Sequence, residues 1–248
     1  MHRPSCKQQG AGLALVLLLL APSTGAINYH PLDLGTEWHY ANEIGQAQSR
    51  VMTGQLTVLG VETVVRHEEI TEGDEVVDIF ESFWTCDDGD LYLHGAVNLM
   101  DPFEAAYVPP IMILDAPLEL GNTWSTEGVQ WCLLDGTNCT EGVDYHWMVY
   151  TEGYVSVPAG LFYAYGIGQY LPPFPLRAPS GERFNLFGRH IRDEVAAAHR
   201  DATEWYSENV GGVQHGSYTW PEYTMRLITW QPVPVEHRDW GRIKALFR

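Results

Sequence analysis

Basic residues are scarce in this 248-residue chain, which has 14 lysines and arginines against 32 aspartates and glutamates and a formal net charge of −18. Binding to nucleic acid needs clusters of positive charge against the phosphates, so this imbalance argues against a nucleic-acid partner. Recognisable catalytic motifs are also lacking: the chain holds no G-x-S-x-G elbow and no phosphate loop. His67-Glu68-Glu69 begins like a zincin helix, but Thr71 stands where the second histidine should be. We therefore expect no catalytic, cofactor-binding or metal site.

Long apolar runs are nearly absent. The one run of note, Ala11–Ala21, follows Arg3 and Lys7 and precedes a small-residue cleavage pattern that ends at Ala26. This layout is typical of a secretory signal peptide, and the run is too short for a permanent membrane span. We predict a signal peptide at 1–26, cleavage after Ala26, and an exported protein, periplasmic or extracellular. Removal of the signal peptide would change the formal net charge of the chain from −18 to −20.

Cysteine is rare, and Cys6 falls within the predicted signal peptide. Cys132 and Cys139 flank a stretch rich in turn residues, which predicts a disulfide-closed hairpin in an oxidising compartment. Cys86 is then left single. We expect it to be a small buried hydrophobe, with a reactive thiol as the alternative.

Helical periodicity is also scarce, and alternating aromatic and β-branched residues indicate ten to twelve strands in an antiparallel sandwich or barrel. Hairpin turns are predicted at Asp87–Asp90, at Pro158–Gly160 and at Gly211-Gly212. The carboxylates of Asp87–Asp90 leave a calcium site as the alternative to a plain turn. Two segments break the pattern: Leu171–Gly181 is predicted to be an irregular loop, and Arg189–Arg200 a short helix or a strand.

An octapeptide occurs twice, as PLDLGTEW at Pro31–Trp38 and PLELGNTW at Pro117–Trp124. We interpret it as the start of a strand, in which two leucines share one face, glycine takes a conformation that side chains resist, and tryptophan anchors the strand in the core. We expect the two tryptophans to be buried at equivalent places. The residues that carry this structural motif are Leu32, Leu34, Gly35, Trp38, Leu118, Leu120, Gly121 and Trp124.

This repeat suggests that 27–230 is one β-rich domain made of two similar meanders, 27–116 and 117–230. Beyond it, 231–248 reads as a proline-spaced linker and a basic amphipathic tail, a possible contact with the cell envelope. The nine tryptophans are interpreted mainly as core residues, with an aromatic-lined cavity or sugar-stacking face as the alternative.

Three stretches together resemble a broad group of bacterial exported proteins of unknown function. They are YHPLDLGTEWHY at Tyr29–Tyr40, VSVPAGLFYAY at Val155–Tyr165 and EWYSENVGGVQ at Glu204–Gln214. The resemblance implies an antiparallel sheet curled into an open or half barrel, similar to envelope lipoprotein-carrier folds, with at most one or two short helices. It implies no catalytic residues.

These features leave three functions to consider. The first is a non-catalytic envelope protein that holds an apolar or amphipathic ligand, or a partner protein, on a concave β surface. The second is a secreted hydrolase whose carboxylate or histidine site is assembled from separate strands. The third, an outer-membrane barrel, is disfavoured because strands such as Glu69–Glu81 carry too many acids for a lipid-facing stripe.

Overall fold

The computed structural model describes residues 28–101, 103–170, 176–177, 183–184, 202–217 and 224–232. Twelve of its strands form one closed antiparallel barrel, and two short strands pair separately. The strands are β1 Glu37–Ala41, β2 Gln46–Val58, β3 Val61–Glu72, β4 Glu75–Asp87, β5 Asp90–Asn98, β6 Phe103–Leu114, β7 Thr123–Cys132, β8 Val143–Val157, β9 Gly160–Tyr170, β10 Leu176–Arg177, β11 Arg183–Phe184, β12 Ala202–Ser207, β13 Gly211–Ser217 and β14 Met225–Gln231.

The barrel is a meander in which neighbouring strands follow the chain, except that β12 pairs directly with β9 and β14 returns to β1. Trp38 of β1 lies opposite Trp230 of β14, and Glu37 lies opposite Gln231. This pairing closes the sheet and leaves the barrel without an edge strand. The all-β antiparallel class is thus confirmed, but the expectation of an open or half barrel is wrong.

Local sequence explains the hairpins. Asp88 and Gly89 connect β4 to β5 with φ values of 50° and 100°, the two positive values of a type I′ turn. The predicted turn at Asp87–Asp90 is therefore confirmed. The predicted turn at Pro158–Gly160 joins β8 to β9 through Pro158-Ala159. The turn predicted at Gly211-Gly212 is misplaced, because residues 208–210 form the turn and both glycines belong to β13.

No helix occurs in the ranges given above, and so none there is long and apolar enough to cross a membrane. The segment Arg189–Arg200, predicted as helix or strand, lies outside the described residues. Leu171–Gly181 was predicted as an irregular loop, but Leu176–Arg177 within it pairs with Arg183–Phe184. The rest of that segment lies outside the described residues.

Two large groups of buried residues fill the barrel. One is rich in aromatic rings and includes Trp124, Trp131 and Trp147. The other surrounds Trp38 and Tyr40 of β1. The segment that precedes β1 connects the two groups, because Leu32 packs against both of them.

Candidate functional site

A buried ionic cluster joins β2 and β3 inside the barrel. Glu68 has no exposed surface and accepts hydrogen bonds from Gln48 at 2.5 Å and from Arg50 Nε at 2.9 Å. Its second carboxylate oxygen accepts from Arg66 Nη2 at 2.5 Å. Arg50 and Arg66 are themselves 4% and 3% exposed. One carboxylate thus holds two guanidinium groups within the barrel interior.

Aromatic rings enclose both arginines. The Arg50 guanidinium lies 4.8 Å from the centroid of the Tyr40 ring, and that of Arg66 lies 4.4 Å from Trp84. Burial lowers the pKa of Arg50, but the charge of Glu68 more than offsets that effect, so the pKa is raised overall. Burial also raises the pKa of Tyr40 to about 12. Arg50 therefore stays charged and Tyr40 neutral.

His30 reaches this cluster from the segment before β1. Its ring stacks on Trp38 with centroids 5.2 Å apart, and its Nε2 accepts from Arg66 Nη1 at 3.4 Å. Because the guanidinium can only donate, the neutral imidazole carries its proton on Nδ1. Burial lowers the pKa of His30 well below its usual range, and the charges of Arg66 and Arg50 lower it further.

Side chains of β1 reach the β12–β13 connection. The Trp38 indole donates to the Val210 carbonyl at 2.6 Å, and the Tyr40 hydroxyl donates to the Gly212 carbonyl at 2.8 Å. On β12, the Tyr206 hydroxyl donates to Glu204. Burial and the Glu204 charge raise the pKa of Tyr206 well above its usual range.

The ionic cluster suits a structural role better than catalysis. Glu68 is occupied by three donors and has no exposed surface, and His30 is only 3% exposed. A general acid or base has to come within hydrogen-bond reach of its substrate, and these groups are covered on all sides. The carboxylate and histidine convergence that a hydrolase needs is thus present but is not open to a substrate.

The tryptophans of the aromatic cluster differ from those near the ionic cluster in how completely they are buried. Trp124, Trp131 and Trp147 keep 8%, 6% and 6% of their surface exposed, whereas Trp38 and Trp84 have none. The Trp124 and Trp131 indoles donate to the Met112 carbonyl and the Tyr145 hydroxyl. These three tryptophans are therefore buried, although less completely than Trp38 and Trp84.

Two hydrogen-bond donors in this region are unmatched. Trp147 on β8 lies opposite Gln169 on β9, and on its other side it lies opposite Trp124 on β7. Trp147 Nε1 and Gln169 Nε2 are both buried, and neither has an acceptor among the described residues. Most buried polar groups are hydrogen-bonded, so adjacent unmatched donors mark a candidate binding position.

The predicted disulfide is confirmed: Cys132 and Cys139 are joined. The loop that it closes packs over the hairpin of β2 and β3, because Leu134 contacts the cluster of Val58 and Val65. Cys86 was expected to be buried and is instead exposed at the end of β4. Partial desolvation and the nearby carboxylates raise its thiol pKa, which disfavours the reactive-thiol alternative.

The first octapeptide forms a turn before β1. The Thr36 N–H donates to the Asp33 carbonyl at 3.0 Å, and Gly35 has φ 86°. The Gly35 N–H then donates to the Met52 carbonyl on β2 at 2.7 Å. Trp38, the second residue of β1, follows with no exposed surface.

The second octapeptide repeats these contacts before β7. The Asn122 N–H donates to the Glu119 carbonyl at 3.0 Å, Gly121 has φ 89°, and its N–H donates to the Val149 carbonyl at 2.8 Å. Trp124 is the second residue of β7 and is 8% exposed. The prediction that the two tryptophans are buried at equivalent places is confirmed.

One detail of the octapeptide was wrong. Leu118 is 2% exposed but Leu120 is 57% exposed, so the two leucines do not share a buried face. The reason is the turn, since Leu120 occupies its second position and the chain is no longer extended there. In the first copy Leu32 and Leu34 are both half-buried.

Sequence reasoning missed the residues of the ionic cluster. Glu68 was noticed only as part of an incomplete zincin-like motif, and Arg50, Arg66 and Gln48 were not singled out. A signal did exist, because Gln48, Arg50 and Met52 alternate with residues that face outward on β2. Polar residues at alternating positions normally indicate a solvated face, and that expectation hid them.

The calcium alternative for Asp87–Asp90 gains no support. Within the part of the chain that the structure describes, no group of three or more histidine, cysteine, aspartate or glutamate side chains could hold a metal ion. Asp90 instead accepts from the Ala116 N–H at 2.8 Å and so ties the β4–β5 turn to the corner before β7.

Comparison with known proteins finds two solved structures of low similarity. No family model matches the chain, and no curated protein matches it. A presumed lipoprotein from Parabacteroides distasonis is similar at 14% identity and a TM-score of 0.43, over 84% of this chain and 100% of its own. A presumed exported protein with a YmcC-like fold from Bacteroides fragilis is similar at 12% identity and a TM-score of 0.44, over 83% and 100%. These values assign neither a family nor a function.

Proposed function

We propose that this chain is an exported, non-catalytic binding protein of the bacterial envelope, with an amphipathic ligand held against the aromatic part of the barrel interior. The observation that carries the proposal is the aromatic cluster around Trp124, Trp131 and Trp147, in which the buried Trp147 indole has no acceptor among the described residues. Apolar surroundings with a few polar groups are the usual form of small-molecule sites.

Two features support the exported location. Ala11–Ala21 and the small residues that end at Ala26 have the layout of a signal peptide. The bond between Cys132 and Cys139 fits an oxidising compartment. We further propose that the basic tail at 231–248 contacts the envelope.

We also infer that 27–230 is one domain of two similar meanders that meet at residue 117. Six barrel strands, β1 to β6, precede this point, and the other six follow it. Matching hydrogen bonds at Gly35 and Gly121 support the division, because each half begins with the same corner.

A partner protein is the second candidate, favoured by one patch on the β8–β9 hairpin. Tyr154, Leu161 and Tyr163 are 73%, 66% and 43% exposed, and the two tyrosine rings lie 5.3 Å apart. Exposed apolar patches of this kind mark interaction surfaces.

Native mass spectrometry of the protein purified from its own envelope tests the proposal. We expect a bound small amphipathic molecule that leaves on mild activation. A bound protein that is lost in a Tyr154→Ser/Leu161→Ser variant would instead favour the second candidate. Protein that carries neither, and that takes up no amphipathic probe, would overturn the proposed function.

A further inference from the structure

The pair Trp147–Gln169 has the geometry of a small hydrogen-bonding site. The two residues lie directly opposite each other on β8 and β9 and are 6% and 7% exposed. Opposed residues on antiparallel strands have Cβ atoms only about 4.5–5.5 Å apart and face the same side of the sheet. Two N–H donors are thus presented next to each other, and neither has an acceptor among the described residues.

The chemistry of the pair selects the ligand. Because Trp147 Nε1 and Gln169 Nε2 can only donate, the complementary group is an acceptor. A carbonyl oxygen has two lone pairs and can accept from both donors. Trp124 lies opposite Trp147 on β7 and belongs to the same aromatic cluster, so it is an apolar neighbour of the pair.

The charge of Glu204 is offset by a buried cation. Glu204 lies opposite Ile167 on β9, and Gln169 is two residues further along the same strand, so the side chains of Glu204 and Gln169 face the same side of the sheet. Burial lowers the pKa of Arg50, and the charges of Glu68 and Glu204 raise it, so Glu204 and the Arg50 guanidinium compensate each other. An anionic ligand would gain no net attraction from these two charges, and the acceptor that we assign to the pair is neutral.

We propose that Trp147 and Gln169 form a two-donor subsite for the neutral carbonyl oxygen of an acyl ester or amide, with the apolar chain of the ligand against Trp124. This subsite rests on the proposed binding function and names the chemical class of its ligand. In this subsite one carbonyl oxygen of the ligand is recognised by hydrogen bonds. An experiment can therefore distinguish this recognition from hydrophobic binding of the ligand's apolar chain.

Two matched probes isolate the carbonyl. 1-Decanoylglycerol carries an ester carbonyl, and 1-O-decylglycerol has an ether in its place with the same chain length. We expect calorimetry below their micellar concentrations to show roughly tenfold tighter binding of the ester, since an unmatched donor pair penalises the ether. The Trp147 indole and Gln169 amide NMR signals should shift with the ester and much less with the ether.

Variants identify the donors. Gln169→Leu and Trp147→Phe each remove one N–H, and we expect each to bring ester and ether affinities to within about twofold of each other. Gln130→Leu makes the same change at an exposed position of β7 and should preserve the wild-type preference. Near-ultraviolet circular dichroism shows which variants keep the native fold. If Trp147→Phe does not keep it, Gln169→Leu still tests the subsite, because it changes a smaller side chain.

The outcomes separate the two proposals. Equal binding of ester and ether by the wild-type protein would overturn the subsite and leave the binding function standing. The subsite would likewise fall if ligand-free protein showed a direct hydrogen bond from the Trp147 indole to the Gln169 amide oxygen. It would also fall if neither probe bound while another molecule co-purified. Absence of both probe binding and a co-purified molecule would overturn the function as well.

Discussion

Glu68 is the residue on which the interior charges depend. It neutralises one of two buried guanidinium groups and orients both through hydrogen bonds. A buried ion pair adds little stability compared with an apolar core, but loss of one partner leaves the other charge uncompensated. The effect of a substitution therefore depends on which member is removed.

We predict that Glu68→Gln lowers the free energy of unfolding by about 3–5 kcal/mol, because Arg50 and Arg66 stay buried without the carboxylate that pairs with both of them. Urea denaturation followed by tryptophan fluorescence measures the change. Glu69→Gln, at the adjacent half-buried position, should stay within about 0.5 kcal/mol of the wild type. A loss below about 1 kcal/mol for Glu68→Gln would contradict the role given to this carboxylate.

His30 makes the stability depend on pH. Its pKa is lowered well below the usual value by burial and by Arg66, so it is neutral in the folded protein. An unfolded histidine takes up a proton near pH 6.5. Below that pH the unfolded state binds a proton that the folded state does not, and stability falls as the pH falls; above it, this contribution is fully present.

We predict that His30→Phe removes a slope of up to about 1.4 kcal/mol per pH unit below pH 6.5 from the unfolding free energy. Urea denaturation at pH 5.0, 6.0 and 7.5 measures this slope. His146→Phe, at an exposed position on β8, should keep the wild-type slope. Parallel profiles for His30→Phe and the wild type would show that another group dominates the acid response.

Sequence patterns predicted the tryptophans better than the charged residues. Trp38 and Trp124 are large and apolar, so burial followed directly from residue type. Arg50 and Glu68 are buried although charged residues are usually exposed, and their burial depends on partners that come together only in the folded sheet. The alternation on β2 marks the face on which Arg50 lies, but its pairing with Glu68 depends on the register between β2 and β3, which that alternation does not specify.

The repeated corner behaves as a unit of local structure. In both copies, a glycine with positive φ closes a turn and pairs with a second strand, and a buried tryptophan follows. Its recognition from sequence succeeded because glycine, proline and tryptophan each have a narrow structural preference. The orientation of Leu120 was missed because an alternating pattern was extended into a turn.

We predict that Gly121→Ala lowers the free energy of unfolding by about 1–2 kcal/mol. An added Cβ would meet nothing within 4 Å, so the cost arises from the φ of 89° alone. Gly54→Ala is the control, since its Cβ is equally free and its φ is not positive; it should be neutral or stabilise by up to about 1 kcal/mol. Equal effects in urea denaturation would refute the conformational role of Gly121.

The disulfide closes a loop between β7 and β8, and Leu134 in that loop packs against the β2–β3 hairpin. We predict that Cys132→Ser/Cys139→Ser lowers the free energy of unfolding by about 2–3 kcal/mol, chiefly because the unfolded chain regains the freedom of this short loop. Reductant should lower the urea midpoint of the wild type and leave that of the double variant unchanged. Cys86→Ser should respond to reductant as the wild type does.

Closure of the barrel is the feature that sequence could not supply. The alternating strands and the turns at Asp87–Asp90 and Pro158–Gly160 specify neighbours along the chain. The pairing of Trp38 with Trp230 joins the first strand to the last and has no local signal. A meander of this kind is compatible with an open sheet, a half barrel or a closed barrel until that last pairing is known.

The closed ladder is uneven around its circumference. β2 and β3 pair along nearly their whole length, from Gln46 opposite Glu72 to Val58 opposite Val61. The described pairing of β13 with β14 is short and consists of Gln214 opposite Arg226 and His215 opposite Met225. Local opening requires the least free energy where few backbone hydrogen bonds and buried contacts are lost.

We therefore predict that the barrel opens first between β13 and β14. Native-state hydrogen exchange followed by NMR should show at least roughly tenfold faster exchange for β14 amides that face β13 than for β3 amides that face β2. Amides of β14 that face β1 are an internal control in the same strand, because β1 pairs with β14 along its whole length, and they should exchange more slowly. Uniform protection around the barrel would mean that the sheet opens only as a whole, and the short β13–β14 pairing would then have no energetic consequence.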